Sequence, residues 1–239
     1  MQIDVFTIFP SLIENFAKES FLGRAKKGGL LNLNCHDLRD GASGNHLNVD
    51  DSPFGGGAGM VLKPEPIFKV VERVNPSRPL FLLSPTGSVF NQAKAVEFSK
   101  LEGFSLICGR YEGVDQRVND HLIDGEISVG DFILSGGEVA ALLIIESVTR
   151  LIPGVMGNNE SSEEESFSDG LLEYPQYTRP WDFRELTPPD ILRSGDHEKI
   201  KEWRKGMSLK LTIEKRPDLI EARGGLTAEE KKLVEKTKK

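Results

Sequence analysis

Hydrophobic residues along this chain fall into short runs separated by amphipathic segments. Runs with the length and pattern of buried strands cover residues 3–8, 30–35, 80–83, 104–108 and 127–134. Between them, apolar residues at helical spacing predict helices near residues 11–17, 66–74, 91–101 and 138–152. Strands and helices that alternate in this way predict an α/β fold, with a mostly parallel sheet covered by helices on both faces.

Glycines stand after two of the predicted strands. Gly109 and Gly113 follow the strand at 104–108, and Gly136 and Gly137 follow the strand at 127–134. A turn is also predicted at residues 84–87, after the strand at 80–83. Open α/β sheets bind ligands at the carboxyl ends of their strands, and glycine lets the backbone approach a ligand closely. We therefore expect a nucleoside cofactor at this edge of the sheet.

A long segment without clean periodicity, residues 36–66, separates the second strand from the next helix. Its centre is the run Gly55-Gly56-Gly57-Ala58-Gly59. Two interpretations stay open here, a flexible surface loop and a backbone cradle for a ligand. The P-loop pattern is excluded, because no Gly-Lys-Ser/Thr follows the glycines.

A change of composition near residue 158 predicts a second domain. Residues 158–168, NNESSEEESFS, are polar and acidic without periodicity, which is typical of a mobile linker. Beyond them, proline-broken patterns predict short helices, one starting at residues 187–190 and another capped by Asp196 and ending near Gly206. The predicted organisation is a cofactor-binding domain at 1–157, a mobile linker at 158–170 and a helical domain at 171–239.

The charge is unevenly distributed along the chain. Residues 1–170 contain 14 Lys and Arg against 24 Asp and Glu, whereas residues 171–239 contain 16 against 13. A basic-leaning module of this kind could contact phosphate, although solvated mixed-charge helices are the commoner cause. Because no apolar run is long enough for a membrane span and the N-terminus has no basic n-region, we expect a cytoplasmic protein without a signal peptide.

The motifs of several enzyme classes are missing. The sequence has no Gly-x-Gly-x-x-Gly dinucleotide fingerprint and no Gly-x-Ser-x-Gly nucleophile elbow. The histidines and cysteines lack metal-ligand spacing, so no metal site is expected, and Cys108 has the surroundings of an unreactive core cysteine. Polar residues at the rim of the glycine-lined crevice are Tyr111, Glu112, Asp115 and Arg117. These features support an adenosine-type ligand and a polar partner, but they do not indicate a reaction.

Five motifs in register resemble one enzyme family. In chain order they are VDDSPFGGGAGM, LLSPTG, CGRYEGVDQRV, SVGDFILSGGE and YTRP. They are similar to bacterial tRNA (guanine-37-N1) methyltransferases of the SPOUT superfamily, from about residue 5 to about residue 220. The resemblance implies a deep trefoil knot, an exception to the rule that chains do not thread loops. It also implies a homodimer with shared active sites that binds the tRNA anticodon loop through its helical domain, with neither DNA nor a membrane as partner.

The reaction implied by the resemblance is methyl transfer from S-adenosyl-L-methionine to N1 of guanosine 37. Arg150 would face guanine O6, and Asp50 would help to shape the RNA site. The family commonly has tyrosine where this chain has Phe132. The residues implied to bind the cofactor are Leu83, Ser84, Gly109, Tyr111, Glu112, Gly113, Ser128, Val129, Gly130, Asp131, Phe132, Ile133, Leu134, Gly136 and Gly137.

The general base is implied to lie in the acidic linker. The family usually has an aspartate directly before Ser-Phe, and this chain has Glu165 there, preceded by Glu163 and Glu164. The resemblance assigns the base to Glu165, with a neighbouring glutamate as the open alternative, and the use of Mg²⁺ also stays open. Two rival functions are a catalytically silent RNA-binding module on the same scaffold and a nicotinamide-dependent oxidoreductase.

Overall fold

Strands and helices alternate along the first 157 residues, as the hydrophobic pattern predicts. The computed structural model describes residues 1–44, 46–157 and 165–237, and the chain divides into two units, residues 1–157 and 158–239. The strands of the first unit are β1 Gln2–Thr7, β2 Asn32–Asp37, β3 Asp50–Asp51, β4 Val61–Leu62, β5 Leu80–Val89, β6 Gly103–Cys108 and β7 Gly125–Ser128. Its helices are α1 Pro10–Phe16, α2 Ser20–Lys27, α3 Pro64–Val74, α4 Gln92–Ser99, α5 Gln116–His121 and α6 Glu138–Thr149, with a 3-10 helix at Leu38–Gly41.

Among the described residues of the first unit, five strands form one sheet in the order β2-β1-β6-β5-β7, and every neighbouring pair is parallel. The central strand β6 is buried along its whole length. Its residues Phe104 and Leu106 face one helical layer, and Ile107 faces the other. A strand covered on both faces needs apolar residues at successive positions, which explains its unbroken apolar run. The predicted α/β class with a mostly parallel sheet is confirmed.

Helices cover both faces of this sheet. On one side α1, α2, α4 and α6 bury a core that includes Ile13, Leu22 and Ile144. On the other side α3 and α5 bury residues such as Ile67 and Val118. The sequence pattern does not predict α2 or α5, because they span only 8 and 6 residues and each buries few apolar side chains.

The sheet differs from the prediction at its carboxyl edge. The apolar run at 127–134 predicts a strand, but β7 ends at Ser128 and a loop follows. Ile133 in this loop is 85% exposed, so the run is apolar without belonging to the core. The turn predicted at 84–87 interrupts β5 instead of ending it: Leu83 and Ser88 both align with Ile127, so residues 84–87 leave the ladder with β7 before the strand resumes.

A buried polar cluster surrounds Asp4, which is only 1% exposed. Its carboxylate accepts hydrogen bonds from Gln2 at 2.9 Å and Asn34 at 3.1 Å, and it lies 2.9 Å from His36 Nε2. Burial by itself would raise the pKa of Asp4, but the hydrogen bonds outweigh burial and lower the pKa from 3.8 to about 2. Asp4 is therefore a charged group inside the sheet at neutral pH.

In the second unit, residues 165–189 contain no helix, and the helices lie between residues 190 and 237. Its elements are a 3-10 helix Asp190–Arg193, α7 His197–Lys215, α8 Pro217–Ala222 and α9 Ala228–Thr237. Leu171, Leu209 and Val234 form its core. The predicted helix end at Gly206 is wrong, because α7 continues through it. A Cβ at Gly206 would collide with Thr237 of α9, so this glycine serves helix packing rather than helix termination.

The predicted linker begins at residue 158, and residues 158–164 lie outside the described part of the chain. Its mobility stays a prediction. Across the described ranges 1–44, 46–157 and 165–237, no helix is both long and apolar enough to cross a membrane.

Candidate functional site

A cavity of about 490 Å³ lies at the carboxyl ends of β5, β6 and β7. Its walls are the irregular part of β5 at 84–86, the loop at 109–114 after β6, and the loop at 129–137 after β7. Parallel strands end at the same edge of a sheet, so loops that are distant in sequence surround one space. The volume falls within the range of about 300–1,000 Å³ that is typical of small-molecule sites.

Nearly all residues that the resemblance assigns to the cofactor line this cavity, and Asp131 is the exception. The assigned residues in its walls are Leu83, Ser84, Gly109, Tyr111, Glu112, Gly113, Ser128, Val129, Gly130, Phe132, Ile133, Leu134, Gly136 and Gly137. The set mixes glycine, aliphatic, aromatic and acidic residues. What its members share is their position at the end of a strand, rather than one kind of side chain.

The loop after β6 contains two residues with positive φ. Tyr111 has a φ of 59° and Gly113 a φ of 123°, and the second value is one that larger residues rarely adopt. Leu62 N–H donates to Gly113 O at 2.9 Å, and a Cβ at Gly59 would collide with the Glu112 side chain. The glycine-rich segment therefore packs against this loop from outside. It does not line the cavity, so the ligand-cradle interpretation gains no support.

Two glycines fix the loop after β7 to the loop after β6. Gly137 N–H donates to Gly109 O at 2.9 Å. A Cβ at Gly137 would lie 2.8 Å from Cys108 Cα, and a Cβ at Gly136 would collide with the Arg110 side chain. At these glycines the loop after β7 lies close to the loop after β6. Glycine is therefore required at both positions for packing within the protein, whether or not a ligand is bound.

A buried ion pair lies under the two loops. Glu138 is 1% exposed, and its carboxylate accepts hydrogen bonds from Arg110 Nε at 2.9 Å and from Thr7 Oγ1 at 2.7 Å. Arg110 also donates to Ser135 O at 3.3 Å, and its guanidinium lies 4.6 Å from the centre of the Phe9 ring. Arg110 therefore connects both loops to α6. Sequence reasoning misses Arg110, although a basic residue in one glycine loop and an acidic residue after the other were a usable signal.

Hydrogen bonds between hydroxyl groups stabilise the cavity wall formed by residues 84–86 of β5. Thr86 Oγ1 donates to Glu126 Oε1 at 2.9 Å, so it accepts the proton of Ser84 Oγ at 2.6 Å, because a hydroxyl has only one proton to donate. Ser84 Oγ accepts from Thr86 N–H at 3.2 Å. Gln116 and Asn119 of α5 also line the cavity, and the sequence misses them because it does not predict α5.

Other predicted residues lie away from the cavity lining. Arg150 is the residue at the carboxyl end of α6, and Asp50 lies in β3, opposite Leu62. Asp115 and Arg117 pair with each other at 2.7 Å at the start of α5, and this hydrogen bond lowers the pKa of Asp115. The rim residues Asp115 and Arg117 therefore stabilise the first turn of a helix.

Glu165 belongs to the second unit, where it begins a turn. Its carbonyl oxygen accepts hydrogen bonds from Ser168 N–H at 3.2 Å and Ser168 Oγ at 2.7 Å. The neighbouring Glu163 and Glu164 lie outside the described residues. Its assignment as general base thus stays a prediction from the resemblance.

Neither metal nor thiol chemistry is indicated by the described side chains. Within residues 1–44, 46–157 and 165–237, no group of three His, Cys, Asp or Glu side chains could hold a metal ion. Burial raises the pKa of the Cys108 thiol well above its ordinary value. Such a thiol stays protonated at neutral pH and is a poor nucleophile, which confirms the prediction of an unreactive core cysteine.

Comparisons with known proteins give a consistent result. The family described as tRNA (Guanine-1)-methyltransferase TrmD matches residues 1–222. A tRNA (guanine-N(1)-)-methyltransferase of Dehalococcoides mccartyi is 50% identical over 239 residues, covering 98% of this chain and 96% of the relative. One from a Geobacter species is 50% identical over 224 residues, covering 92% and 90%.

A third relative extends the match to the whole chain. The tRNA (guanine-N(1)-)-methyltransferase of Dictyoglomus turgidum is 50% identical over 240 residues, covering 100% of this chain and 97% of the relative. These proteins are methyltransferases, so the oxidoreductase alternative is dropped. The sequence match and the cavity at the strand ends lead to one conclusion: the chain belongs to the tRNA (Guanine-1)-methyltransferase TrmD family.

Proposed function

We propose that this protein transfers a methyl group from S-adenosyl-L-methionine to N1 of guanosine 37, next to the anticodon of tRNA. Family membership supports the reaction class, because relatives half identical to the chain are tRNA (guanine-N(1)-)-methyltransferases. The observation that carries the proposal is the cavity enclosed by three strand-end segments. This is where an open α/β sheet holds a nucleoside.

The cavity lining fits S-adenosyl-L-methionine, which supplies an electrophilic methyl group when bound. Leu83, Val129 and Leu134 provide apolar walls for the adenine ring, and the surrounding backbone provides hydrogen-bonding groups. We assign Glu112 to the methionine end of the ligand. Phe132 offers an apolar ring where the family's tyrosine has a hydroxyl, so a hydroxyl contact at that position is lost.

Guanine N1 carries a proton at neutral pH and is poorly nucleophilic until the proton leaves. In this proposal Glu165 accepts that proton, since a carboxylate within hydrogen-bond reach can act as general base. Arg150 donates to guanine O6, where negative charge develops as N1 is deprotonated. Asp50 shapes the RNA site. Glu165 keeps the carboxylate of the family's aspartate and adds one methylene.

The enzyme is proposed to act as a homodimer with shared active sites, in which the second unit of one subunit covers the cavity of the other. An exposed apolar face supports association. Leu12 and Phe16 lie one turn apart on α1 and are 48% and 38% exposed, and Val139 and Leu143 on α6 are 60% and 43% exposed. Residues four apart share one side of a helix, and α1 contacts α6. Apolar surface of this kind favours a protein partner.

The proposal includes the trefoil knot and a cytoplasmic location, where tRNA is available. The knot is proposed from membership of the family, whose members the sequence resembles along most of the chain. Single-molecule stretching from both termini tests it. A knotted chain ends shorter than its full contour length, whereas an unknotted chain reaches that length.

Methyl transfer to tRNA transcripts with guanosine or adenosine at position 37 tests the reaction. Labelling of the guanosine transcript alone is the expected result, and equal labelling of both transcripts would place the target elsewhere. No labelling with intact cofactor binding would favour the silent RNA-binding module. Mixing an Arg150→Ala subunit with one inactivated at the cofactor loops should partly restore activity if sites are shared, and a monomer in light scattering would contradict the dimer.

A further inference from the structure

The second unit contains a cleft of about 500 Å³ that the reaction above does not use. The cleft lies between residues 174–177 and the first eight residues of α7. Three lining side chains are aromatic and three are basic: Tyr174, Tyr177, Trp203, His197, Lys201 and Arg204. None of the described lining residues is Asp or Glu. The cleft therefore combines ring surfaces with positive charge.

The aromatic rings are arranged around the cleft and remain partly accessible. The ring centres of Tyr177 and Trp203 are 6.4 Å apart with the planes tilted by 48°, and Tyr177 is 49% exposed. The Arg204 guanidinium lies 4.8 Å from the centre of the Tyr174 ring. Aromatic rings and arginine planes are the surfaces on which unstacked RNA bases stack.

Lys201 places an ammonium group at the cleft. Two of the other four lysines of α7 pair with carboxylates: Lys199 lies 2.8 Å from Asp196, and Lys205 lies 2.6 Å from Asp169. In the part of the chain that the structure describes, no carboxylate pairs with Lys201. An ammonium beside ring surfaces that has no counter-ion among the described carboxylates suits a phosphate attached to a stacked base.

We propose that this cleft binds one unstacked nucleotide of the tRNA substrate, with its base against Tyr177 and Trp203 and its phosphate at Lys201. The inference rests on the proposed function, since it takes RNA as the polymer that the protein binds. A space of about 500 Å³ suits a single nucleotide rather than a duplex. Bases of single-stranded RNA loops are the ones that can leave the stack and enter such a cleft.

Tryptophan fluorescence tests base stacking directly. The protein has 2 tryptophans, Trp181 and Trp203, so Trp181→Phe leaves Trp203 as the reporter. In the full-length Trp181→Phe protein, we expect Trp203 emission to be quenched by a tRNA transcript. Inorganic polyphosphate, which offers phosphates without bases, should not quench it. Binding of tRNA with unchanged Trp203 emission would overturn the proposal.

Binding variants test the same cleft in the full-length protein. Tyr177→Leu should weaken tRNA binding roughly tenfold or more through the lost stacking surface, and Tyr177→Phe should bind as the wild type does. Lys201→Ala should reduce the slope of log K against log salt by about 1. Lys215→Ala, an exposed position outside the cleft on the same helix, is the charge-matched control and should behave as wild type.

These variants separate the inference from the proposed function. We expect a raised KM for tRNA, an unchanged kcat and an unchanged affinity for S-adenosyl-L-methionine. If the wild type methylates tRNA while Tyr177→Leu and Lys201→Ala bind it normally, the cleft assignment is wrong and the proposed reaction is unaffected. If the wild type transfers no methyl group but these variants still lose RNA binding, the reaction fails and the cleft assignment stands.

Discussion

Two cavities of almost equal volume, about 490 and 500 Å³, lie in different units of this protein and are built in opposite ways. The first is enclosed by strand-end loops in which glycines allow close packing of backbone. The second is enclosed by aromatic and basic side chains on a helix and a neighbouring segment. The shape of the first cavity therefore depends on glycines, which have no side chain, whereas that of the second depends on its aromatic and basic side chains.

The comparison determines which substitutions are informative. In the first unit, adding a side chain or removing the support beneath the loops should alter the site. In the second unit, function should depend on individual side chains. A replacement that keeps the ring or the charge should be tolerated, and one that removes it should not.

The largest effect is expected at Glu165, which the second unit contributes to the proposed reaction. Glu165→Gln removes the proposed general base with little change of shape, so methyl transfer should fall by about 10²–10⁴-fold. Glu165→Asp should remain active because it keeps a carboxylate. Single-turnover transfer to a guanosine-37 transcript measures both, alongside cofactor affinity, which should not change.

The matched control for Glu165 is its neighbour Glu164. Glu164→Gln should transfer methyl groups nearly as the wild type does. Normal turnover by Glu165→Gln would place the base elsewhere in the protein.

The next largest effect is expected beneath the backbone-lined cavity. Arg110→Met keeps much of the side-chain volume but leaves the Glu138 carboxylate buried without its cation. Breaking a buried pair in this way costs about 3–5 kcal/mol of unfolding free energy. Urea unfolding measures the loss, and Arg110→Met combined with Glu138→Gln should be less destabilised than Arg110→Met alone. A loss below about 1 kcal/mol would show that the pair does not support the loops.

Asp4 provides a test away from the cavity. It lies in β1, opposite Ser105 near the start of β6. Its pKa is lowered from 3.8 to about 2 in the folded protein, so the stabilisation is complete above the unfolded value. It is lost as the pH falls through the folded value. The difference between the two pKa values corresponds to about 2 kcal/mol.

The pH dependence of Asp4→Asn separates this contribution from those of other carboxylates. The stability difference between wild type and Asp4→Asn should shrink as the pH falls from about 4 to about 2. Cofactor affinity at neutral pH should be the same in both, because the cavity lies at the opposite edge. A stability difference that is constant over this pH window would contradict the assignment.

The two cavities also differ in how far the sequence predicts them. Glycines after apolar runs predict the location of the first cavity, and nearly every residue that the family resemblance assigns to the cofactor lines it. The pattern fails at residues 129–134, because an exposed apolar loop and a buried strand have the same composition. It fails at Gly206, because a packing glycine resembles a helix end.

The hydrophobic pattern misses Arg110 and the second cleft for a different reason. Both depend on which side chains meet in space. Arg110 donates to Glu138, which lies 28 residues away, and Glu138 accepts a second hydrogen bond from Thr7, which is 131 residues from it. Periodicity reports the environment of one segment at a time, so it contains no information on such long-range pairs.

The smallest expected effect is also the most direct test of a backbone-lined cavity. At Gly109 a Cβ would lie 3.5 Å from Val114 Cγ2 and 3.7 Å from Leu83 O, which are ordinary contacts. Gly109→Ala should therefore fold normally while placing a methyl group in the cavity wall, weakening S-adenosyl-L-methionine binding about tenfold, or ~1.4 kcal/mol. Gly125→Ala is the matched control, since its Cβ would lie 3.5 Å from the Phe81 ring and outside the lining. Calorimetry should show reduced affinity for Gly109→Ala alone, with thermal unfolding of both variants close to wild type. Equal affinities in the two variants would mean that the cofactor does not approach the backbone after β6.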